Sequence, residues 1–416
     1  MIRWISYAFR NLMRNPRRSL YTIMAVAIGF SGINFFGGFT EYIFSNLRES
    51  FIYTEGNGHL SIFAVGAASG VKSDPLRNLL SADQIFSLRK IIQGDEAVHL
   101  ISEVLNVTGF ASNGDSTTIY VGRAWIPSEK NGFQNEARGL MSRMKFFEGE
   151  SFTSDQAQEL GVSRGLAERL SLTIGTDLIL MAPTVEGQIN AVEARIVQIV
   201  DTSNDILEDK WISMPLELAR SLYNTNGASH VNLLLREGYS INEARSRLHD
   251  VFSLNGLDVD IMTWRELSPF YIKVEKMFDV IFLLIFVVVS VIIVMSVVNT
   301  VTMSVMERRR EIGTLRAIGA QRNRIISLFT LEAALLGLFG CTLGLLLLGL
   351  SLGVFYSAGL QWIPPHLARN LPLEIYLVPG YLFRSTILLI TLSLSSGAYA
   401  AHKIAHTNIV EVLSHE

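Results

Sequence analysis

Three groups of residues in the 416-residue chain are of types that could do chemistry. His402 and His406 are four residues apart, which would place both imidazoles on one helix face, where they could bind a metal ion. Glu332 is the only formal charge in a long apolar run, and a charge in such a run is a candidate functional residue. An acidic group could hold a cation and consists of Asp201, Asp205, Glu208 and Asp209.

The motifs that would turn these groups into an enzyme are missing from the sequence. No Gly-Lys dipeptide occurs, so there is no G-x-x-x-x-G-K-[ST] loop to bind a nucleotide. No H-E-x-x-H motif is present either. No third ligand accompanies the two histidines, and the acidic group is typical of a solvated loop. We therefore expect no catalytic residue, no metal site and no bound cofactor.

Composition excludes further classes of protein. The net charge of −3 gives no basic surface of the kind that binds nucleic acid. The single cysteine, Cys341, rules out a disulfide within one chain. Hydrophobic residues make up 49% of the chain, and their distribution is uneven. They are concentrated in four runs, separated by stretches that resemble a soluble protein.

Each apolar run is long enough for a transmembrane helix, which needs about 20 residues. The runs cover residues 20–44, 277–304, 325–356 and 381–401. They must be helical because the bilayer interior offers no water to the backbone. The first run is longer than the apolar core of a signal peptide, so we expect an uncleaved helix.

The distribution of arginine predicts the orientation of these helices. Arginines cluster before the first run and in residues 305–324, whereas residues 357–380 contain only Arg369. Because basic flanks remain inside, residues 305–324 and both ends, 1–19 and 402–416, should be cytoplasmic. Residues 1–19 fit an amphipathic helix at the membrane surface or, alternatively, a disordered basic tail. Residues 45–276 and 357–380 should lie outside.

Residues 45–276 show alternating strand and helix patterns. Strands are predicted near residues 58–63, 117–121, 177–181, 195–200 and 231–235. Helices are predicted after Ser81, at 162–170, after Pro215 and after Ser240, with a compact lobe at about 149–235. The sequence thus predicts a membrane α-helical protein with four transmembrane helices. A large extracytoplasmic α+β domain is inserted between the first and second helices.

The segment between the second and third runs has an amphipathic pattern. Ile312, Leu315 and Ile318 fall on one helical face among charged residues, and Gly313 and Gly319 permit close approach or a helix end. Such a helix could dock a separate ATPase or act as a basic membrane anchor.

The third run contains two further features. Glu332 could snorkel, pair with Arg322 or Arg324, or serve transport. Two small-residue pairs, Gly340 with Gly344 and Gly349 with Gly353, permit close helix packing.

Two segments resemble a known family. ERRREIGTLRAIGAQR at residues 307–322, followed by LEA at 331–333, resembles the signature of FtsX-like permeases, the MacB-type or type VII ABC transporters. Residues 161–177 resemble an element of the lipoprotein-releasing LolC/LolE members. The tail, residues 398–416, is similar to the closing element of the family but has Ile409 where proline is usual.

The resemblance implies a permease in the bacterial inner membrane. Its partners would be a cytoplasmic ABC ATPase that uses ATP and Mg, a second permease copy or paralogue, membrane lipid, and a periplasmic chaperone or adaptor. It would couple ATP hydrolysis to movement of its periplasmic domain, extracting or exporting a lipoprotein or other amphiphile. MacB-like efflux and an FtsX-like scaffold that controls a cell-wall hydrolase remain open. The residues implied in ATPase docking are Glu307, Arg308, Arg309, Arg310, Glu311, Ile312, Leu315, Arg316, Ile318 and Gly319.

Overall fold

The computed structural model describes residues 10–12, 14–67, 78–138, 147–200, 207–362 and 371–405. It divides into two compact units. The first comprises Met1–Phe44, Lys273–Leu360 and Pro372–Glu416, and the second comprises Ser45–Ile272 and Gln361–Leu371. Most of the predicted surface helix at residues 1–19 lies outside the described residues, as do His406, Asp201 and Asp205.

The first unit contains the apolar helices. Among the described residues, four helices are long and apolar enough to cross a membrane, as predicted. The first to fourth apolar helices are Pro16–Glu49, Pro269–Glu307, Arg322–Ala358 and Pro379–Ala405. Each extends beyond its apolar run, because backbone hydrogen bonding continues into the polar flanks where water is available. A π-helical turn, Ser50–Thr54, follows the first of them.

Glycines allow the apolar helices to approach closely. A Cβ atom on Gly340 would lie 2.4 Å from Cβ of Val26, and one on Gly344 would lie 2.8 Å from the carbonyl oxygen of Ala27. This pair therefore packs against the first apolar helix, as small residues do in membrane bundles. Around Gly349 and Gly353, no described atom lies within 4 Å of a Cβ position. The structure thus gives packing contacts to the first predicted pair and none to the second.

The second unit is built on a ten-stranded sheet. The strand order is β10-β1-β9-β2-β3-β8-β5-β7-β4, and β6 pairs with β2 and β7. Pairing is antiparallel except for β3 with β8 and β5 with β7. The strands are β1 (Leu60–Ala64), β2 (Val98–Ser112), β3 (Thr117–Trp125), β4 (Phe147–Gly149), β5 (Glu159–Ser163), β6 (Asp177–Pro183), β7 (Ile189–Val200), β8 (Trp211–Pro215), β9 (His230–Leu235) and β10 (Val259–Thr263).

Within the described residues of this unit, six helices accompany the sheet. They are α1 (Ala82–Ile92), α2 (Pro127–Asn135), α3 (Arg164–Arg169), α4 (Leu216–Tyr223), α5 (Ile241–Leu254) and α6 (Trp264–Leu267). Ser81 begins α1 with the predicted capping box, and the Ser240 hydroxyl accepts the amide hydrogen of Glu243 at the start of α5. The helix predicted at 162–170 is shorter, because Val162 and Ser163 complete β5. Two short strands, β11 (Gln361–Trp362) and β12 (Leu371–Pro372), form a separate sheet.

The second unit has two hydrophobic cores. One is formed by buried residues between Leu105 and Tyr223, and the other by residues on β1, α1, β9, α5 and β10. These cores differ from the compact lobe predicted at 149–235. The first core begins earlier because the long strand β2 contributes Leu105 and Val107, and β9 belongs to the second core.

Candidate functional site

Glu332, the charge predicted to be functional, is buried at one end of the apolar helices with 3% of its surface exposed. Its carboxylate accepts hydrogen bonds from Asn11 Nδ2 at 2.6 Å, Arg308 Nη1 at 3.1 Å and Ser304 Oγ at 3.4 Å. The predicted partners Arg322 and Arg324 are not the ones bound. Both precede Glu332 on the same helix by at least eight residues, which is roughly 12 Å along the helix axis at 1.5 Å per residue. An arginine side chain cannot reach that far along its own helix.

Arg308 connects Glu332 to the next helix. It is 7% exposed and stands between the second apolar helix and a short helix, Arg309–Ala317, which we call the coupling helix. Its Nε donates to Glu311 Oε2 at 2.9 Å, and its guanidinium lies 5.6 Å from the centre of the Phe329 ring. One buried arginine therefore joins the coupling helix to the third apolar helix by charge-assisted hydrogen bonds.

The segment before the first apolar helix binds the same group of acids. Arg14 donates to Glu311 at 2.8 Å, and Asn15 donates to Glu307 at 2.5 Å. In the first turn of that helix, Arg18 donates to Glu307 at 3.1 Å and to the Thr300 carbonyl at 2.6 Å. With Asn11 on Glu332, this segment contacts all three acidic residues around the coupling helix.

In this network each acidic side chain has a basic or amide hydrogen-bond donor beside it. Hydrogen bonds from Arg308 and then Arg14 lower the pKa of Glu311, so its carboxylate stays ionised. The network surrounds a cavity of about 140 Å³ whose lining includes Arg18, Ser304 and Glu332. The arrangement can hold four chain segments in one geometry. Within the described residues, no group of three or more histidine, cysteine or acidic side chains could hold a metal ion.

The coupling helix does not present its apolar residues as a single face. Ile312 is partly buried and packs against the core of the apolar helices, whereas Ile318, after the last helical residue, is 80% exposed. Leu315 lies in the helix, and its side chain is outside the described structure. Gly319 has φ of +99°, a conformation that glycine adopts readily and that ends the turn. Arg308, one of the residues implied in ATPase docking, is buried and pairs with Glu332.

Arg309, Arg310 and Arg316 remain at least partly accessible around this helix. Sequence reasoning missed Asn11, Arg14, Asn15 and Arg18 as partners. The signal was the pair of acids, Glu307 and Glu311, in an otherwise basic loop, since each needs a cation or amide nearby. The basic N-terminal flank predicts orientation and a surface helix, and its spacing does not indicate contacts with these acids.

The remaining sequence candidates lie on other elements. His402 lies near the end of the fourth apolar helix, and its predicted partner is outside the described residues. In the second unit, Asp209 pairs with Arg169 at 3.1 Å. The Glu208 carboxylate accepts the Gly165 amide hydrogen at 3.2 Å. Both acids have structural partners.

Residues 282–409, which include the coupling helix and Glu332, match the family model described as FtsX-like permease C-terminal. The chain carries an FtsX-like permease region. The predicted resemblance to FtsX-like permeases is thereby confirmed. The matched residues contain all of the third and fourth apolar helices and the second apart from its start.

Curated relatives extend the similarity beyond this region. An uncharacterized ABC transporter permease of Methanocaldococcus jannaschii is 25% identical over 53% of this chain and 55% of its own length. The ABC transporter permease YtrF of Bacillus subtilis is 32% identical over 28% of each protein. The macrolide export ATP-binding/permease protein MacB of Escherichia coli is 23% identical over 82% of this chain and 51% of its own length. The chain thus spans about half or less of the length of these relatives.

Solved structures also show similarity. The periplasmic region of MacB from Actinobacillus actinomycetemcomitans aligns with a TM-score of 0.38 and 12% identity, covering 54% of this chain and 94% of that one. The extracellular domain of the transporter YknZ from Gram-positive bacteria aligns with a TM-score of 0.32 and 14% identity, covering 49% of this chain and 98% of that one.

Proposed function

We propose that this chain is the permease subunit of an ABC transporter, driven by a separate cytoplasmic ATPase. The observation that carries the proposal is the buried connection from the coupling helix through Arg308 to Glu332. A helix fixed in this way cannot shift without moving the third apolar helix. The second apolar helix follows as well, because it ends at Glu307, two residues before the coupling helix begins.

The placement of charge supports transmission of movement rather than simple anchoring. An anchor needs only exposed basic residues at the membrane surface. Here Arg308 and Glu332 are both buried, which is costly unless the two charges are held together. Four segments share that network, so a force on one is carried to the others. ATP and Mg would be used by the ATPase, whose closure would move the coupling helices of a permease pair.

We propose that the ATPase contacts the exposed part of this helix. Ile318 offers an exposed apolar contact, and Arg310 with Arg316 a basic rim. The spacing in the sequence adds Leu315 as a second apolar candidate. Ile312 would instead fix the helix to its own bundle. Interface energy usually concentrates in a few buried apolar residues, and rim charges contribute less.

The cargo proposed is a lipoprotein or another amphiphile of the inner membrane, moved with a periplasmic chaperone or adaptor. The resemblance of residues 161–177 to LolC/LolE proteins supports it. Efflux of a small molecule is the second candidate. The observation favouring efflux is the match to MacB over 82% of this chain. Transport of a labelled lipoprotein and of a macrolide by the same proteoliposomes distinguishes the two.

The docking test uses the full chain with the ATPase that co-purifies with it. Leu315→Asp and Ile318→Asp should each weaken ATPase recovery by at least about tenfold, since a buried unpaired charge costs about 2 kcal/mol or more. Arg310→Gln is the matched rim control and should cost less, with an effect that fades at high salt. The chain alone should hydrolyse no ATP. Full stimulation of the ATPase by both aspartate variants, inserted normally, would contradict the docking surface.

A further inference from the structure

A groove runs between the third and fourth apolar helices, at the end of the bundle that carries the coupling helix. Its volume is about 410 Å³, and its lining is almost entirely apolar. We call it the side groove, and its lining residues are Asn323, Ile326, Ser327, Thr330, Leu331 and Leu394. A methylene group takes up roughly 30 Å³, as a water molecule does in the liquid, so the groove could hold on the order of ten methylene groups.

The side groove lies on the opposite side of the third apolar helix from Glu332. Glu332 follows Asn323 by nine residues, or about two and a half helical turns, so the two side chains leave the helix in opposite directions. Ile325 and Phe329, which also face away from the groove, are buried in the core of the apolar helices. Asn323 and Ser327 are exposed. The groove is therefore separate from the buried network around Glu332 and opens to the outside of the bundle.

The side groove is apolar although two of its residues carry hydroxyl groups. Ser327 Oγ donates to the Arg324 carbonyl at 2.9 Å, and Thr330 Oγ1 donates to the Ile326 carbonyl at 2.9 Å. A hydroxyl that bonds back to its own helix needs no water and leaves hydrocarbon atoms at the surface. Such a lining suits an acyl chain better than a polar ligand.

Two arginines flank the polar mouth of the side groove. Arg322 and Arg324 come directly before and after Asn323, so each projects about 100° to one side of it. Both are exposed, and within the part of the chain that the structure describes neither forms an ion pair with an acidic side chain. The mouth of the groove is therefore positively charged. Guanidinium groups bind phosphate oxygens through paired hydrogen bonds, so this mouth suits a phosphate group.

We propose that the side groove binds an anionic phospholipid from the membrane leaflet on the coupling-helix side. One acyl chain lies in the groove, and the phosphate lies between Arg322 and Arg324. Charge complementarity selects the headgroup: two arginines without acidic partners favour a lipid of net negative charge over a zwitterionic lipid, whose cationic group they repel. The bound lipid contacts the start of the third apolar helix, directly after the turn that leads from the coupling helix. Binding requires no ATPase, so it is independent of the proposed transport function.

The test uses the full chain in vesicles that contain photoactivatable phosphatidylglycerol or phosphatidylcholine. Both probes carry the same diazirine-labelled acyl chain, and mass spectrometry identifies the labelled peptides. Labelling of residues 322–331 is divided by labelling of residues 283–292 on the second apolar helix, where Leu283, Leu284, Val287 and Val288 are exposed to bulk lipid. Phosphatidylglycerol should give a ratio at least about fivefold above that of phosphatidylcholine.

Substitutions separate the headgroup contact from the groove itself. Arg322→Gln and Arg324→Gln should each lower the phosphatidylglycerol ratio about fivefold, because each removes one cation beside the phosphate. Arg17→Gln is the matched control: it removes an exposed arginine at the start of the first apolar helix and should change the ratio less than about twofold. Thr330→Trp should fill the groove and lower the ratio for both lipids. Unchanged labelling of residues 283–292 shows that each variant is inserted.

Three results would overturn the proposal. Equal ratios for the two lipids would show that the arginines do not select the headgroup. Equal effects of Arg17→Gln and Arg324→Gln would show that the attraction belongs to the basic surface as a whole. A side groove that neither lipid labels is the result expected if a protein segment covers it. ATPase recovery is measured on the same variants, and a parent chain that prefers phosphatidylglycerol but recruits no ATPase refutes only the proposed function.

Discussion

At the scale of single residues, the buried pair of Arg308 and Glu332 is the main feature of the first unit. The sequence pointed to Glu332 because a charge within an apolar run is rare unless it is paired or functional. The partner could not be predicted, because the choice between Arg308 and the arginines at 322 and 324 depends on which helix turns toward which. Asn11, far away in the chain, was equally inaccessible to pattern reasoning.

Removing both members of this pair should destabilise the helix bundle by less than the sum of the two single losses. Arg308→Met or Glu332→Leu alone leaves a buried charge without its main counter-ion, at a cost of about 3 kcal/mol. The double variant leaves no unpaired charge at this position. We expect it to be less destabilised than the sum of the two by at least about 1 kcal/mol. The free energy of unfolding is measured in mixed micelles for the parent, the two single variants and the double variant. If the two single losses simply add in the double variant, the two residues are not coupled.

His230 in the second unit should make that unit sensitive to acid. Burial, with a smaller effect of the nearby charge on Arg123, lowers the pKa of His230 from 6.5 to about 3. The unfolded chain therefore takes up a proton as the pH falls below 6.5, while the folded chain does not. Stability is full above that value and is lost as the pH falls toward about 3. The loss should be about 1.5 kcal/mol between pH 6.5 and about pH 5.

His230→Phe should remove this component, because phenylalanine can retain the ring stacking on Phe63, now at 4.9 Å, and does not titrate. The measurement is the difference in unfolding free energy between variant and parent over that range of pH. Phe63→Leu is the control: it weakens the stack and leaves the titrating group in place. A constant difference between His230→Phe and the parent would show that His230 does not contribute to acid sensitivity.

At the scale of elements, periodicity predicted which segments are helices and much less about what their faces contact. The four apolar helices follow from composition alone, since residues 277–304 are too long and apolar for any other structure. The coupling helix was also expected, but its apolar residues divide between two directions. Ile312 packs inward because the preceding turn is fixed by Arg308, whereas Ile318 lies past the helix end. Tertiary contacts cause this division, and the spacing of the apolar residues in the sequence does not indicate it.

The two glycine pairs of the third apolar helix allow a matched test of packing. Gly340→Val would force a side chain against Val26 on the first apolar helix, where a Cβ atom already has only 2.4 Å. We expect a loss of about 1–3 kcal/mol or a displaced helix. Gly349→Val, with no described atom within 4 Å, should change stability by less than about 0.5 kcal/mol. Equal losses in the two variants, measured by thermal unfolding in detergent, would contradict this packing.

At the scale of the whole molecule, the order of the apolar helices and the α+β domain was easier to predict than the division of that domain into two cores. The α+β character of residues 45–276 follows from alternating strand and helix patterns. The location of its two cores does not, because a 15-residue strand, β2, passes through both and no local signal marks the transition.

The orientation of the molecule is the remaining expectation from charge, and labelling can test it. If basic flanks remain inside, Gln321, next to the coupling helix, faces the cytoplasm, and Asn226, between α4 and β9, faces outward. In a Cys341→Ala background, Asn226→Cys should react with a membrane-impermeant maleimide in intact spheroplasts. Gln321→Cys should react only after the membrane is opened. Lysed spheroplasts provide the control that both thiols are accessible. The reverse pattern would place the coupling helix outside, away from any ATP, and the proposed transmission of movement would then have no source of energy.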